Sequence, residues 1–136
     1  MTDDLAFHHM GLACRDLDTE IAAWAILGYR LEGSPFEDPI QRVRGCFVVG
    51  AGPRLELLMP LDDTSPVMPW LAKGVKFYHQ AFETVDIRRA LDTLKARRGK
   101  VVVPPTPAVA FQGREIAFVL FPNMMLIELI QAAERE

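Results

Sequence analysis

The feature that most constrains this chain is an internal repeat with an offset of 70 residues. The segment FHHMGLACRDL, residues 7–17, aligns with FYHQAFETVDI, residues 77–87. Both segments carry phenylalanine, histidine and aspartate at the same positions, the histidines being His9 and His79. An internal repeat of this kind indicates two copies of one supersecondary unit. Each half of the chain is therefore expected to follow the same order of strands and helices.

After the shared motif, each repeat continues with an apolar stripe at helical spacing. Asp16 and Asp86 stand where the N-cap of a helix belongs, because an aspartate side chain accepts a hydrogen bond from the first turn. Gly28 and Gly99 stand near the ends of the stripes, where a glycine C-cap is common. The sequence therefore predicts one helix behind the first strand of each repeat.

Both halves then close on a similar apolar strand. PRLELLMPL, residues 53–61, parallels NMMLIELIQ, residues 123–131, and the offset has grown to 72. Between helix and closing strand each half has room for two more strands, which are predicted at 29–32, 43–49, 100–103 and 115–121. The order strand, helix, strand, strand, strand thus occurs twice.

The predicted fold class is α+β, in a single domain of residues 1–136. Two tandem βαβββ modules, 5–61 and 75–132, form a curved, cup-like mixed β-sheet with the helices on its outside. The stretch DDTSPVMPW, 62–70, has two prolines and is predicted to join the modules. The stretch VVVPPTPAV, 101–109, could be only a stiff loop, but its length and three prolines favour a rim or lid over the cup.

Charge and composition narrow the classes of function. The formal net charge is −3, and the densest basic stretch, KARRGK at 95–100, suits a helix C-terminus, which argues against nucleic-acid binding. The sequence begins with no basic segment followed by an apolar run, and no run approaches the ~18 residues of a membrane span, so neither a signal peptide nor a membrane partner is expected. Cys14 and Cys46 have no metal-type spacing and are predicted to be reduced, in a cytoplasmic protein.

Four residues at repeat-matched positions are the candidates for function. Side chains alternate between the two faces of a strand, so Met10 and Leu12 are predicted to face the first helix and His9 the opposite side. Glu56 and Glu128 each lie between two apolar residues of a closing strand. We therefore expect all four side chains to point away from the helices, namely His9, Glu56, His79 and Glu128.

A buried carboxylate costs several kcal/mol unless its charge is compensated. Two of them at matching positions suggest one shared partner, a divalent cation bound by the two histidines and the two glutamates. Nitrogen and carboxylate ligands suit zinc, cobalt, nickel or manganese, and also iron, and four protein ligands leave room for the waters of a catalytic site. Taken singly, each histidine also fits a core residue with satisfied hydrogen bonds, and each glutamate an ion-pair partner.

These motifs resemble the vicinal oxygen chelate (VOC) superfamily, also called the glyoxalase/bleomycin-resistance fold, over about residues 7–131. The resemblance rests on HHMGLACRDL, LELLMPL, YHQAFETVDI and MLIELI, and LELLMPLDDTSPVMPWLAKGV is especially similar to the methylmalonyl-CoA epimerases. It implies that His9, Glu56, His79 and Glu128 ligate a metal that stabilises an enolate or enediolate. It also implies that Glu128 is the catalytic base, with Glu56 in the partner role.

One position departs from the epimerase pattern. Counting back from LELL without gaps, the position of an epimerase catalytic glutamate falls on Gly45. Glu37 or Asp38, predicted on the loop before that strand, could supply the missing carboxylate, or the protein carries out different chemistry. The ligand set of two histidines and two glutamates is also that of glyoxalase I, in which a metal-bound glutamate acts as the base.

The predicted function is a metal-dependent lyase or isomerase that abstracts a proton alpha to a carbonyl. The best single prediction is an epimerase of methylmalonyl-CoA or a similar acyl thioester. The alternatives are a glyoxalase I-type lactoylglutathione lyase, which converts a hemithioacetal of glutathione to a glutathione thioester, and a non-catalytic small-molecule binding protein of the same fold. Arg42, Arg44 and Lys76 could hold an anionic part of the substrate or be surface charges. A homodimer is expected, because small sheets leave edges that must be covered.

Overall fold

The order of elements repeats along the chain, as the internal repeat requires. The structure is a computed structural model that describes residues 4–134, so both ends of the predicted domain lie outside the described range. Within it, eight strands and two helices follow the order βαβββ twice, with a third short helix between the repeats, which confirms the α+β class with two βαβββ repeats. Two compact units are present: residues 9–78, and residues 79–134 together with 4–8. No helix in this range has the length and apolarity needed to cross a membrane.

The unit of residues 9–78 contains a four-stranded mixed sheet in the order β2-β3-β4-β1. β1 runs parallel to β4, and the other two neighbouring pairs are antiparallel. Asp16 caps the first helix as predicted, since its carboxylate accepts a hydrogen bond from the Thr19 amide at 2.9 Å. The elements that lie in or enter this unit are β1 Ala6–Ala13, α1 Leu17–Ala25, β2 Arg30–Asp38, β3 Val43–Val49, β4 Leu55–Pro60 and α2 Met68–Ala72.

The other unit contains a second four-stranded mixed sheet, in the order β5-β8-β7-β6. β5 runs parallel to β8 and the remaining neighbours are antiparallel, so the pairing pattern of the first unit is repeated. Asp86 caps its helix by accepting a hydrogen bond from the Arg89 amide at 3.2 Å. Its elements are β5 Phe77–Thr84, α3 Ile87–Ala96, β6 Lys100–Pro107, a 3₁₀ turn Val109–Phe111, β7 Glu115–Leu120 and β8 Leu126–Gln131.

Each helix covers one face of the sheet in its own unit. In residues 9–78 the buried core contains Leu12, Leu17 and Leu57, with Met10 packed against it. The prediction that Met10 and Leu12 face the helix is therefore confirmed. In the other unit, Ile87 and Leu91 of α3 pack with Leu129 of β8. Because side chains alternate along a strand, the glutamates beside Leu57 and Leu129 belong to the faces that the helices leave uncovered.

Two strands are longer than the sequence predicted, and the stretch predicted to be a loop forming a rim or lid is mostly strand. β2 extends to Asp38 instead of ending at 32, and β6 extends to Pro107, so most of 101–109 is strand. Within its unit β6 pairs only with β7, and its register shifts twice between Val101 and Thr106. An edge strand tolerates proline because one side of its backbone needs no partner. The prolines therefore mark an edge strand here.

The two helices end on the same backbone conformation but with different residues. Gly28 adopts the left-handed φ of 85° that glycine favours. In the second repeat the matching residue is Arg98, with φ of 70°, so the prediction that Gly99 takes this role is off by one position. Gly99 is required for another reason: a Cβ there would lie 2.7 Å from Val119 Cγ1 and 2.8 Å from the Leu94 carbonyl oxygen.

We expect Arg98→Gly to raise the free energy of unfolding by about 0.5–1 kcal/mol, because it removes the cost of a left-handed arginine. The matched variant is Gly28→Arg, which introduces the same cost in the first repeat and should lower stability by a similar amount. No heavy atom lies within 4 Å of a Cβ built at Gly28, so its effect is conformational. Urea unfolding of both variants measures the difference. A loss of stability in Arg98→Gly would contradict this account of the helix end.

Both cysteines are free thiols in the core of the first unit, as the sequence predicted for reduced residues. Burial raises the pKa of Cys14 to about 12 and that of Cys46 to about 11. The thiolate is the reactive form of cysteine, so both groups are protonated and unreactive at neutral pH. They serve here as small core residues.

Candidate metal centre

In the unit of residues 9–78, β1 and β4 bring His9 and Glu56 together. The two strands are parallel, with Gly11 opposite Glu56, so His9 lies two residues before the residue that faces the glutamate. His9 Nε2 lies 3.1 Å from Glu56 Oε1. His9 is fully buried and Glu56 is 4% exposed. Both side chains of the pair are therefore buried.

The other unit repeats this arrangement with His79 and Glu128. β5 and β8 are parallel, with Ala81 opposite Glu128, so the register matches that of the first pair. His79 Nε2 lies 3.2 Å from Glu128 Oε1, with His79 fully buried and Glu128 4% exposed. Sequence reasoning predicted that these four residues would be buried on the faces opposite the helices. Each histidine–glutamate pair is buried on that face of the sheet in its own unit.

The geometry of each pair fits the edge of a metal coordination shell. Two atoms that each lie about 2.1 Å from one ion, at angles of about 90–109°, are about 3.0–3.4 Å apart. The separations of 3.1 and 3.2 Å match this range. They also match a hydrogen bond from a protonated Nε2 to a carboxylate oxygen. The separation in each pair is therefore compatible with binding of a divalent ion, and all four residues are of metal-ligating types.

An aromatic ring supports the histidine of each pair, and sequence reasoning missed it. Phe47 is opposite Glu56 on β3, and its ring lies edge-on to the His9 ring, with centroids 5.2 Å apart at 74°. Phe118 is opposite Glu128 on β7 and meets His79 at 5.2 Å and 82°. The signal was present in the sequence, because CFVV at 46–49 and AFVL at 117–120 share a phenylalanine and valine in register. Such contacts fix the orientation of the imidazoles.

Comparison with known proteins connects this arrangement to a family. Residues 8–118 match the family profile described as the Glyoxalase/Bleomycin resistance protein/Dioxygenase superfamily. The chain belongs to this superfamily. It is 31% identical over 130 residues to the ethylmalonyl-CoA/methylmalonyl-CoA epimerase of Cereibacter sphaeroides, an alignment that covers 91% of this chain and 96% of that protein.

Solved structures of other superfamily members have the same fold. One is a variant of the Streptomyces coelicolor methylmalonyl-CoA epimerase in complex with 2-nitronate-propionyl-CoA. It has a TM-score of 0.80 and 27% identity, covering 94% of this chain and 97% of that one. Another is a methylmalonyl-CoA epimerase in complex with methylmalonyl-CoA and NH4+. It has a TM-score of 0.81 and 27% identity, with 97% of both chains covered. The predicted resemblance to this superfamily and to its epimerases is confirmed.

The structure of this superfamily member does not place Glu37 and Asp38 on a loop, as the sequence predicted, but at the end of β2. Glu37 is opposite Arg44, and side chains alternate, so it lies on the face away from His9 and Glu56. Asp38 lies on the same face as Glu56 but is 2% exposed. Its Oδ1 accepts hydrogen bonds from the amides of Ile40 and Gln41, both at 3.0 Å, so it holds the β2–β3 turn.

Arg42, Arg44 and Lys76 were predicted either as anion-binding residues or as surface charges. Arg44 belongs to the helix-side face of β3 by the same alternation, and Arg42 lies in the β2–β3 turn with a left-handed φ of 59°. Lys76 borders an open cavity of about 280 Å³ at the end of β1. Its ammonium donates to Glu20 at 2.8 Å and to the Ala13 carbonyl at 3.1 Å. These contacts favour a structural role for Lys76.

Proposed function

We propose that this protein is a divalent-metal-dependent epimerase of methylmalonyl-CoA or a similar acyl thioester. The observation that carries the proposal is the repetition of one buried histidine–glutamate pair, at identical strand register, in a chain similar to epimerases over nearly its whole length. His9, Glu56, His79 and Glu128 would hold the metal, with zinc, cobalt, nickel or manganese as candidates. When bound, a divalent ion stabilises negative charge that develops on a carbonyl oxygen.

The residues of the chain would divide the remaining work between them. Glu128 would accept the proton from the alpha carbon, with its carboxylate buried and 3.2 Å from the His79 imidazole. A base held in a largely dry environment is well suited to general-base catalysis. Glu56 would be the partner carboxylate of this base in the reaction. The histidines are held by Phe47 and Phe118, which keeps both imidazoles oriented toward the glutamates of their own units.

The proposal is tested by hydrogen–deuterium exchange at the alpha carbon of methylmalonyl-CoA in heavy water. The measurement is run on protein purified without a chelating tag, with the metal content determined on the same sample. We expect exchange at a rate that falls when the metal is removed by a chelator and recovers on its return. Metal-replete protein that catalyses no exchange on any thioester of an acyl-CoA panel would refute the epimerase function.

A second candidate, a glyoxalase I-type lactoylglutathione lyase, is supported by Gly45. A Cβ at this position would lie 2.9 Å from each of the Leu57 carbonyl oxygen, Leu58 Cδ2 and Phe36 Cζ. The position of the epimerases' second carboxylate thus has no room for a side chain. The glyoxalase I reaction needs a single carboxylate base, so it does not require a second carboxylate at position 45. Turnover of the hemithioacetal of methylglyoxal and glutathione, measured beside methylmalonyl-CoA exchange, separates the two functions.

We also propose that the protein is a homodimer. Within their own units β2 and β6 each pair with a single neighbour, so each exposes one edge of unpaired backbone groups. Such edges are usually covered by another strand or chain. Exposed apolar residues lie on or near these strands, including Leu31 at 43% and Val102 at 45%. Sedimentation velocity at micromolar concentration should show a dimer, and a monomer under those conditions would contradict the proposal.

A further inference from the structure

The two repeats differ at one point on the face that carries the histidine–glutamate pairs. On β3, Gly45 is opposite Leu58 of β4. On β7, the matching position is Ile116, opposite Ile130 of β8 and 1% exposed. The first repeat therefore lacks a side chain where the second has a buried isoleucine. A buried volume of this size is rarely left empty in a protein interior.

The neighbouring strand supplies the missing volume in the first repeat. Phe36 on β2 is the partner of Gly45, whereas Thr106 on β6 is the partner of Ile116. The ring of Phe36 reaches over Gly45, since its Cζ lies 2.9 Å from the position that a Cβ would occupy. The pair isoleucine and threonine of one repeat is thus replaced by glycine and phenylalanine in the other. The larger side chain of the pair is therefore on the edge strand β2 in the first repeat and on the inner strand β7 in the second.

This exchange places two aromatic rings in a row beside His9. The ring centroids of Phe36 and Phe47 are 6.2 Å apart, and Phe47 is in edge contact with His9. Both phenylalanines are only partly buried, whereas Phe118 in the second repeat is 8% exposed. The first repeat therefore presents an accessible apolar surface of Phe36 and Phe47, here called the aromatic shelf, next to the Glu56 carboxylate that accompanies His9.

We infer that Phe36 is a specificity-determining residue, and that the aromatic shelf receives the alkyl branch on the alpha carbon of the substrate. The inference rests on the proposed function, in which the metal-bound substrate lies at His9 and Glu56, and Phe47 is in contact with His9. The carboxylate and carbonyl oxygens of the substrate are polar, so the alkyl group is the part whose binding is strengthened by contact with aromatic rings. Gly45 enables this contact, because any side chain there would displace Phe36.

Binding of a series of thioesters tests the aromatic shelf without requiring turnover. Malonyl-, methylmalonyl-, ethylmalonyl- and propylmalonyl-CoA are titrated calorimetrically into the metal-replete protein. Burial of one methylene corresponds to about a fourfold gain in affinity, so the wild type should bind more tightly at each step of the series. Phe36→Ala should flatten the series while leaving malonyl-CoA binding within about twofold. Phe36→Leu, which retains an apolar side chain, should restore part of the dependence.

The matched control is Thr106→Ala, which changes the repeat-equivalent position and should leave the dependence on alkyl length unchanged. Alpha-proton exchange on the same thioesters distinguishes the inference from the proposed function. If the wild type catalyses exchange but Phe36→Ala keeps the wild-type dependence of binding on alkyl length, the inference is overturned and the proposed function stands. Suppose that Phe36→Ala abolishes the dependence of binding on alkyl length, but no thioester undergoes exchange. That result supports the aromatic shelf and refutes the epimerase function. A wild type that binds all four thioesters equally, or none of them, overturns the inference.

Discussion

Replacing Glu128 by glutamine should lower turnover by ~10²–10⁴-fold, the usual contribution of a general base, while most of the bound metal is retained. The amide keeps one oxygen that can serve as a ligand, but it cannot accept a proton from carbon. Loss of catalysis should therefore exceed loss of metal. The measurement is alpha-proton exchange on methylmalonyl-CoA in heavy water, run beside metal analysis of the same preparation.

The repeat supplies the matched control for this variant. Glu56→Gln makes the same chemical change beside His9, at the same strand register and with the same 4% exposure. If Glu128 is the base and Glu56 chiefly a ligand, Glu56→Gln should reduce turnover less than Glu128→Gln at equal metal content. A Glu128→Gln protein that keeps its metal and exchanges at the wild-type rate would show that Glu128 acts as a ligand only.

Removing either histidine should abolish stoichiometric metal binding. Loss of a partner that merely orients a metal ligand already costs about 10–100-fold in affinity, so loss of the ligand itself is expected to cost ~100-fold or more. If both pairs hold one ion, the wild type contains one ion per chain, and His9→Ala and His79→Ala each lose it. Elemental analysis after dialysis, with titration by Zn²⁺ or Co²⁺, measures both stoichiometry and affinity.

Thermal unfolding provides a second readout that does not depend on activity. A ligand present at a hundred times its dissociation constant stabilises the folded state by about 2.7 kcal/mol. A chelator should therefore lower the melting temperature of the wild type but not that of either histidine variant. Phe47→Leu and Phe118→Leu retain all four ligands and should keep the stoichiometry. Two ions per chain in the wild type, or full metal content in His79→Ala, would contradict a shared site.

Much of the fold follows from local signals that repeat. Asp16 and Asp86 cap their helices as predicted, because capping depends on a side chain and the amide three residues later. The histidines and glutamates lie on the faces opposite the helices because alternation along a strand needs only the local sequence. Their positions in the two repeats, with Glu56 and Glu128 each beside a buried leucine, were therefore predictable from one chain.

The errors concern features set by pairing between strands that are distant in sequence. An edge strand contains the three prolines that were interpreted as part of a rim or lid, Pro104, Pro105 and Pro107. The sequence could not show this, because only the register with β7 shows which backbone groups need no partner. Glu37 read as a loop carboxylate, but its pairing with Arg44 turns it to the other face. In each case the local composition was compatible with both outcomes.

The two βαβββ repeats and the four candidate ligands were predictable without a structure, since periodicity, capping and an internal repeat depend on residues that are close in sequence. The surroundings of these four residues depend instead on contacts between distant parts of the chain. Gly45 gave no hint that Phe36, nine positions earlier on a neighbouring strand, fills its missing volume and extends an aromatic surface toward His9. Packing of this kind depends on which side chains the strand register sets opposite one another, and that register is fixed only when the whole sheet forms.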